Sequence, residues 1–477
     1  MRTIIQQILS KAADKILKYY EENGIIEIAR MAEDFKCISE EMTKELISAF
    51  IDSADEAICE AKSERQADGI RIHEKKVPRT VYTALGELSY ARTYFNVPDG
   101  RSYLLDKILN VAPYERIDSG VSAKLVQTAA IHSFGQSTDI VTGGQISRQS
   151  VRNKIMNTGE VAYVPEKVDV TPESIHIFAD EDHVNLQDGK NTIVPIITVC
   201  EGKRLVSKGR NKLIEPFHVQ GYNVEPEAYW EYVYALCAQK YDMEKVRRIY
   251  VYGDGAAWIA KFTDVFPDAV HVLDEFHFKK RMKGLLAGEI CSQFSLAAYR
   301  AVGKNDKTLF DGTIQNMLKE LEAGMPEGKA RAARIKAVME NAGYMLRHWK
   351  AIQNMKLSGT IGSCTEAMVS HVLSVRLSRN PMGWSKEGLS KISMIRVFVL
   401  NGGKVEADDT LAWKHKSDKN TVIANLEKYD ALVKAQQDKV LKGAKHWRWF
   451  ETNELISGKT TGTKVALDAL GITRKVS

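Results

Sequence analysis

The fold of this chain is predicted chiefly from one stretch, Arg247-Arg-Ile-Tyr-Val-Tyr-Gly-Asp254-Gly-Ala-Ala-Trp-Ile259. It has the pattern of a buried strand that ends in a carboxylate and a glycine turn, followed by a short helix. A second strand then ends in Asp-x-x-His, within His271-Val-Leu-Asp274-Glu-Phe-His277. Because open α/β sheets place their sites at the carboxyl ends of strands, Asp254 is a candidate catalytic acid. A simple Asp-Gly turn is the alternative.

Strand and helix patterns alternate on both sides of this stretch. Strands are predicted at 174–179, 192–199, about 214–218, 248–252 and 269–273, and helices near 226–240 and at 256–266. Three strands, a helix, a strand, a helix and a strand is the order of an RNase H-like mixed sheet. The helical residues from 279 to about 350 are too many for a crossover, so they are predicted to form an insertion. Another helix is predicted at Cys364–Leu377.

The rest of the chain completes a multidomain protein of mixed α+β and α/β class. Apolar residues at helical spacing fill the first 75 or so positions, and residues 79–95 change to a period of two around Gly86, which predicts a β-hairpin. The predicted units are an N-terminal helical region (1–75), a hairpin and helix-turn-helix-like DNA-binding region (76–160), an RNase H-like catalytic core (170–278 and 356–400), its all-helical insertion (279–355) and a basic C-terminal region (401–477).

The segment from Ile146 to Ile155 has the pattern of a recognition helix. Ser147 is predicted to cap it, while Val151 and Ile155 hold it to the body of the protein. The side chains predicted to be exposed for DNA contact are Arg148, Gln149, Arg152, Asn153 and Lys154. An ordinary basic surface helix is the alternative.

The composition excludes several classes of protein. The 477 residues are 44% hydrophobic and 27% charged, which is typical of globular proteins. There is no run of about eighteen apolar residues and no secretory signal pattern, so a cytoplasmic location without a membrane partner is predicted. The six cysteines never approach Cys-x-x-Cys spacing, which argues against zinc ribbons and disulfide frameworks.

Charge is distributed unevenly along the chain. Residues 1–60 contain 7 Lys and Arg against 13 Asp and Glu, whereas residues 411–477 contain 13 against 7. A basic tail is compatible with a polyanionic partner. Its tryptophans, Trp413, Trp447 and Trp449, are predicted either to stack on DNA bases or to belong to a core.

Three acids are candidates for one metal-dependent site. Asp180 follows the strand at 174–179, Asp254 follows the strand at 248–252, and Glu366 begins the helix after the insertion. Carboxylates of this kind can hold two Mg²⁺ ions, or Mn²⁺ in their place, about 3.5–4 Å apart for in-line phosphoryl transfer. Asp182 lies on the same strand face as Asp180 and is the alternative first ligand. Capping or solvated roles are the competing interpretation of all of these acids.

The pair Asp274 and His277 follows the next strand. Such an imidazole could orient the site, or it could simply cap the following helix. Lys279, Lys280 and Arg281 come directly after it and are candidate phosphate contacts, although a solvated basic face explains them equally well.

Together these motifs resemble a known family. Tyr252–Ile259, Val272–His277, Ala179–Val184 and the stretch from Thr365 to Ser385 are similar to bacterial insertion-sequence transposases of the ISLre type, which are related to Mutator-like DDE transposases. The resemblance covers most of the chain. It implies that Asp180, Asp254 and Glu366 form the DDE triad and that Asp274 and His277 match the (Cys/Asp)-x-x-His signature.

The resemblance also implies a function. A DNA transposase would bind the terminal inverted repeats of its element through the N-terminal helices and helix 147–155. It would cut DNA with divalent metal ions, join the freed ends to target DNA, and act as a dimer or larger assembly associated with the nucleoid. One alternative is a structure-selective nuclease or resolvase of the same fold. The other is a non-catalytic helix-turn-helix DNA-binding protein whose acids are structural.

Overall fold

The structure is a computed structural model that describes residues 2–410, apart from 25, 26, 61, 68, 99, 110 and 381. The predicted basic tail and its three tryptophans therefore lie outside the described residues from position 411 onward. Within the described part of the chain, no helix combines the length and the apolar character that a membrane crossing requires.

The N-terminal region consists of helices α1 (Arg2–Asn23), α2 (Ile28–Glu60) and α3 (Lys62–Ala67). Lys11 and Lys15 of α1 form ion pairs with Glu45 and Glu41 of α2, so the two long helices lie side by side. This confirms the predicted helical character, although the first strand begins within the range predicted to be helical.

A three-stranded antiparallel sheet follows. It contains β1 (Arg71–Thr83), β2 (Gly86–Val97) and β3 (Gly100–Ser102), with α4 (Leu104–Ile108) after it. Gly86 has a φ of +87°, a conformation that glycine adopts without strain at the turn between β1 and β2. The hairpin predicted around Gly86 is confirmed, and it is longer than its sequence pattern indicated.

Three short helices then pack together: α5 (Ser119–Ala129), α6 (Phe134–Thr142) and α7 (Arg148–Asn157). Ser147 caps α7, because its hydroxyl accepts a hydrogen bond from the backbone N–H of Ser150 at 3.1 Å. Gly143 ends α6 in the left-handed conformation. The predicted cap and the predicted helix at 147–155 are both confirmed.

The central sheet is mixed. Seven further strands are β4 (Ser174–Asn185), β5 (Asn191–Cys200), β6 (Gly202–Ser207), β7 (Arg210–Ile214), β8 (Phe217–Gln220), β9 (Arg248–Gly253) and β10 (Val270–Leu273). Five of them form one sheet in the order β10-β9-β4-β5-β8, in which β5 is antiparallel to both of its neighbours and the other pairs are parallel. Strands β6 and β7 form a separate hairpin.

The strand predicted at about 214–218 is wrong as a single element. Strand β7 ends at Ile214 and β8 begins at Phe217, with Glu215 and Pro216 between them. Glu215 has a φ of +47°, and proline has no N–H to donate to a strand ladder, so the two strands cannot be continuous. The hairpin of β6 and β7 was not predicted.

Helices cover both faces of the central sheet. On one face, α8 (Pro226–Lys240), α9 (Ala257–Ala260) and α10 (Phe262–Val265) bury Trp230 and Phe262 against Ile177 and Val251. The opposite face of β4 carries Asp180, Asp182 and Val184.

The predicted all-helical insertion is present. It consists of α11 (Glu275–Leu285), α12 (Glu289–Ser292), α13 (Ser295–Gly303), α14 (Lys307–Gly324), α15 (Lys329–Arg347) and α16 (Trp349–Asn354). These helices have a core of their own, which includes Phe310, Met317 and Met345.

The helix predicted at Cys364–Leu377 is present as three consecutive segments: α17 (Thr365–Met368), a π-helix (Val369–Ser374) and α18 (Val375–Leu377). We call residues 365–377 the acid-bearing helix, because Glu366 lies in its first turn. Helix α19 (Lys386–Leu400) and a 3₁₀ turn (Ala407–Thr410) follow. The acid-bearing helix, α19, α5 and α7 share one core with β4 and β5, so the predicted DNA-binding region is not packed as a separate unit.

Candidate active site

Two glycines hold the backbone around Asp254 in place. A Cβ on Gly253 would lie 3.0 Å from Ile259 and 3.1 Å from the carbonyl oxygen of Ala179 on the neighbouring strand. Gly255 has a φ of +80°, and a Cβ there would lie 2.2 Å from the ring of His348. Only glycine fits at position 255, and a Cβ at position 253 would require Ile259 or the Ala179 carbonyl to shift, so the Gly-Asp-Gly turn brings β9 close to both β4 and the helical insertion.

Asp254 itself is fixed at the end of β9. Its Oδ1 accepts a hydrogen bond from the backbone N–H of Ala256 at 2.8 Å. Its carbonyl oxygen accepts one from the Tyr344 hydroxyl at 2.5 Å, and the guanidinium of Arg281 lies 4.4 Å from the centre of the Tyr344 ring. The helical insertion therefore supports the Asp254 turn. Arg281, a predicted phosphate contact, packs on the Tyr344 ring that makes this hydrogen bond.

Asp180 lies within electrostatic reach of the other candidate acids. Burial, together with the negative charges of Glu366 and Asp254, raises the pKa of its carboxyl from 3.8 to about 7. The backbone N–H of Glu181, which donates to Asp180 at 2.9 Å, and the charge of His277 oppose this shift. Asp254, directly after β9, and Glu366, on the acid-bearing helix, thus lie within electrostatic range of Asp180 on β4.

Asp274 connects the strand ends to the acid-bearing helix. Its carboxylate accepts hydrogen bonds from the hydroxyls of Ser363 and Thr365, immediately before Glu366, and from the backbone N–H of His277 at 3.0 Å. Burial alone would raise its pKa, but the hydrogen bonds from His277, Ser363 and Thr365 outweigh burial and lower the pKa to about 2. Asp274 is therefore a buried, ionised anchor for the start of the acid-bearing helix, and it also caps α11.

His277 is placed between acids. Its Nδ1 lies 3.0 Å from Asp274 Oδ1, and this hydrogen bond raises the pKa of the imidazole, as do the charges of Asp254 and Asp180. Burial acts in the opposite direction. The alternative interpretation was that His277 caps the following helix. In the structure Asp274 is the cap of α11, and the His277 imidazole instead lies within electrostatic range of Asp254 and Asp180.

Asp182 holds a later turn of the same helical segment. Its carboxylate accepts hydrogen bonds from Ser374 at 3.1 Å and from Ser378 at 2.9 and 3.0 Å, and the residue is only 6% exposed. Burial raises its pKa, while the hydroxyl groups of Ser378 and Ser374 lower it. Both of its oxygens already accept hydrogen bonds, so Asp182 anchors this part of the chain to β4.

The donor set fits a hard divalent cation in its chemistry. Carboxylate oxygens are the ligands that Mg²⁺ prefers, and like charges around Asp180 are what a cation would offset. Among the described residues, however, no group of three or more His, Cys, Asp or Glu side chains is close enough to hold a metal ion as it stands. Glu366 is exposed in the first turn of the acid-bearing helix.

The predicted DNA-contacting residues have different outcomes. Arg148, Gln149, Arg152 and Asn153 of α7 are exposed as predicted. Lys154 is not: it is 8% exposed and pairs with Glu115 at 2.6 Å, so the prediction that it faces DNA is wrong.

Lys279 and Lys280 are exposed at the start of the helical insertion. Lys279 pairs with Glu275 at 2.6 Å, whereas Lys280 lies 5.8 Å from the centre of the Phe276 ring. Both remain available to a phosphate, because exposed ion pairs of this kind are weak.

Several residues that shape the site were not predicted. They are Tyr344, Ser363, Thr365, Ser374 and Ser378. Serine and threonine hydroxyls carry no sequence pattern that reveals a distant carboxylate, so only the fold identifies them.

Neutralising Asp180 should stabilise the protein in the absence of metal. Its folded-state pKa of about 7 lies above the ordinary 3.8, so folding weakens its ionisation and stability is lost as pH rises between these values. Asp180→Asn cannot ionise, and its free energy of unfolding should exceed that of the wild type by about 1–3 kcal/mol above pH 7. Denaturant unfolding across about pH 4 to 8 measures the difference, which should shrink toward the acid end.

Asp188→Asn is the matched control, because Asp188 is exposed in the turn between β4 and β5. It should leave stability unchanged over the same pH range. Equal stability of wild type and Asp180→Asn at pH 8 would show that Asp180 is not buried among like charges.

Comparison with known proteins gives a consistent picture. The model of a family described as "Uncharacterised protein family (UPF0236)" matches residues 21–415. The UPF0236 protein TTE2489 of Caldanaerobacter subterraneus subsp. tengcongensis is 30% identical over 436 residues, which is 90% of each chain. A second UPF0236 protein of that organism, whose name joins eleven designations from TTE0033 to TTE2212, is 33% identical over 388 residues, 80% of this chain and 79% of its own. A third, whose name joins four designations, is 31% identical over 412 residues, 85% of this chain and 84% of its own.

Proposed function

This chain belongs to the uncharacterised protein family UPF0236, and we propose that it is a DNA transposase that cuts and joins DNA strands with divalent metal ions. The observation that carries the proposal is the set of acids around Asp180. Asp254 and Glu366 lie near enough for their charges to raise its pKa, although they come from separate parts of the chain. Clustered carboxylates of this kind suit two-metal phosphoryl transfer.

The topology of the central sheet supports an RNase H-like catalytic domain. The strand order β10-β9-β4-β5-β8, with β5 as the one reversed strand, matches the succession expected from the sequence. Asp180 lies on the central strand β4, and Asp254 directly follows its parallel neighbour β9. The all-helical insertion separates this second acid from the helix that carries the third.

Each acidic residue has a defined part in the proposed reaction. Asp180, Asp254 and Glu366 would hold Mg²⁺, which when bound activates the attacking oxygen and stabilises the leaving oxygen of the DNA backbone. Asp274 and Asp182 fix the acid-bearing helix over β4 at two points, through Thr365 and through Ser374. The Gly-Asp-Gly turn and Tyr344 fix Asp254.

His277 has an electrostatic part. The carboxylate of Asp274 favours the protonated imidazole, which carries a positive charge beside Asp180 and Asp254. The imidazole would thereby offset part of the negative charge of the acids before the DNA arrives. This role needs no contact between His277 and the metal ions.

The names of the relatives are consistent with a mobile element. One relative's name joins eleven designations within a single organism, and another joins four. A protein encoded by an insertion sequence is expected to occur in many copies of one genome, because the element that encodes it multiplies.

A strand-transfer assay tests the proposal. The full chain is incubated with Mg²⁺, a target plasmid and linear DNA that carries both ends of the DNA segment encoding it. We expect cuts that leave 3′-hydroxyl groups at these ends and covalent joints to the plasmid, formed by a dimer or larger assembly. Chelation of the metal should stop both steps.

The products also separate the proposal from its alternatives. Cutting without joining would indicate a nuclease or resolvase, because hydrolysis uses the same acid cluster. DNA binding without any metal-dependent cutting would indicate a non-catalytic DNA-binding protein.

A further inference from the structure

The hairpin of β6 and β7 is the most basic segment of the central fold. Residues 202–214, which we call the basic hairpin, contain five cations and no Asp or Glu. The cations are Lys203, Arg204, Lys208, Arg210 and Lys212. The hairpin leaves the sheet between β5 and β8 and is not hydrogen-bonded into it. It therefore adds a charged ribbon to the fold without contributing to the main sheet.

The charges of the basic hairpin are exposed and uncompensated. Every residue from 203 to 212 is exposed, including Leu205 at 70% and Val206 at 58%. Within the part of the chain that the structure describes, none of the five cations forms an ion pair, whereas Lys261 and Lys279 elsewhere on the surface each pair with an acid. The hairpin therefore presents a ribbon of unpaired positive charge to the solvent.

The base of the hairpin lies beside the segment that leads into the acid-bearing helix. The ammonium of Lys203 lies 3.5 Å from the point where a Cβ on Gly362 would be. Leu213 packs on the buried cluster that includes Phe178 and Tyr252, and Ile361 packs on the same cluster. Glu366 follows four residues after Gly362, so the basic hairpin flanks the Glu366 side of the candidate active site.

We propose that the basic hairpin binds the sugar-phosphate backbone of duplex DNA and holds it beside the acids. Lysine and arginine side chains neutralise phosphates, and a two-stranded ribbon is narrow enough to enter a DNA groove. The excess of positive charge favours binding of a polyanion. The adjoining acid cluster, if it cuts phosphodiester bonds as proposed, indicates that this polyanion is a nucleic acid. This inference rests on the proposed function, and it assigns DNA contact to a segment outside the helix-turn-helix-like region.

Salt-dependent DNA binding by the full chain tests the hairpin. The variant Lys208→Gln/Arg210→Gln/Lys212→Gln is compared with the wild type by fluorescence anisotropy on a short duplex of unrelated sequence, between about 50 and 200 mM salt. Loss of three phosphate contacts should make the slope of log K against log salt shallower by about 2–3 and weaken binding at least about tenfold at the low-salt end.

The matched control removes the same charge from the helical insertion, as Lys304→Gln/Lys307→Gln/Lys319→Gln, because these lysines are also exposed. It should keep a slope close to that of the wild type. An equal loss in both triple variants, or no loss in the hairpin variant, would overturn the proposal. If the triple hairpin variant does not fold, the single variants Lys208→Gln and Lys212→Gln replace it, each with an expected slope change of about 0.9.

The same measurements separate this inference from the function on which it rests. A wild type that binds duplex DNA and cuts it with Mg²⁺, alongside a hairpin variant with an unchanged slope, would refute the hairpin alone. A wild type with no salt-dependent binding of duplex DNA would refute both.

Discussion

Asp254→Asn should abolish metal-dependent DNA strand cleavage while DNA binding remains at the wild-type level. The variant keeps the side-chain shape, and its amide oxygen can still accept the hydrogen bond from the N–H of Ala256. It loses the negative charge that would hold a divalent cation between β9 and the Asp180 strand. We expect the cleavage rate to fall by about 10³-fold or more, the scale on which loss of transition-state charge stabilisation is measured.

Single-turnover cleavage of DNA carrying the element's own ends, with anisotropy on the same DNA, measures both quantities. Asp268→Asn is the matched control, since Asp268 is exposed just before β10 and should tolerate the change. Unimpaired cleavage by Asp254→Asn in Mg²⁺ or Mn²⁺ would remove Asp254 from the mechanism. A parallel loss of DNA binding would mean that the turn had collapsed, and it would contradict the expectation that asparagine keeps the shape and the hydrogen bond of the aspartate.

The local signals around Asp254 were strong enough to predict its setting. Apolar runs bounded by glycine and aspartate gave β4, β5, β9 and β10 to within a few residues, except that β4 continues past Asp180 to Asn185. The reason for each glycine is not local, however. Gly255 must be glycine because of His348, which lies between α15 and α16, about ninety residues later in the chain.

The basic hairpin shows why some elements escape prediction. Both of its strands are exposed, so the alternation of apolar and polar residues that marks a half-buried strand is missing. One local signal was present: Lys208-Gly209 forms the turn, and Gly209 has a φ of +75°. Pro216 is a second local signal, because proline disfavours one continuous strand through residues 214–218.

The boundary predicted between the DNA-binding region and the catalytic core does not separate two cores in the structure. Sequence periodicity shows that α5 and α7 each have an apolar face, but it does not show what covers that face. In the structure Val126 and Val151 share a core with Val194 of the sheet and Leu389 of α19. The guanidinium of Arg376, on the acid-bearing helix, also donates to the carbonyl oxygen of Ala129 at 2.9 Å. Any displacement of α5 or α7 would therefore be transmitted directly to the acid-bearing helix.

The two anchoring acids were visible in the sequence, but their roles were not. Asp182 was an alternative metal ligand because it shares a strand face with Asp180. Its partners Ser374 and Ser378 lie almost two hundred residues later, so no spacing rule connects them. Asp274 is predicted to support the site, and in the structure its carboxylate accepts hydrogen bonds from the hydroxyls of Ser363 and Thr365, just before Glu366.

Asp274→Asn should impair both stability and cleavage, far beyond the effect of an ordinary helix cap. One carboxylate oxygen accepts from His277 and the other from Ser363 and Thr365, whereas an amide has one acceptor oxygen, so its NH2 group must face either the His277 N–H or two hydroxyls that would have to accept instead of donate. We expect a loss of about 2–4 kcal/mol in the free energy of unfolding at pH 7, because the buried hydrogen bonds to a charged carboxylate are lost or rearranged. Cleavage should fall about 10–100-fold as Glu366 loses its support, the range found for outer-shell partners of metal ligands.

The matched control for Asp274→Asn is Asp306→Asn, because Asp306 caps α14 in the helical insertion by accepting from the N–H of Leu309 at 2.8 Å. Asparagine caps helices about as well as aspartate, so Asp306→Asn should change neither stability nor cleavage, and a mere cap at Asp274 would behave the same way.

The decisive further readout is the imidazole of His277, whose pKa should fall in Asp274→Asn when the adjacent negative charge is lost, as an NMR titration would detect. Since Asp274 has a pKa of about 2, its stabilising contribution in the wild type should persist down to about pH 4 and disappear as the pH falls toward 2. A variant with normal stability, normal cleavage and an unchanged His277 titration would reduce Asp274 to an ordinary cap and leave the position of Glu366 to the contacts of Asp182 alone.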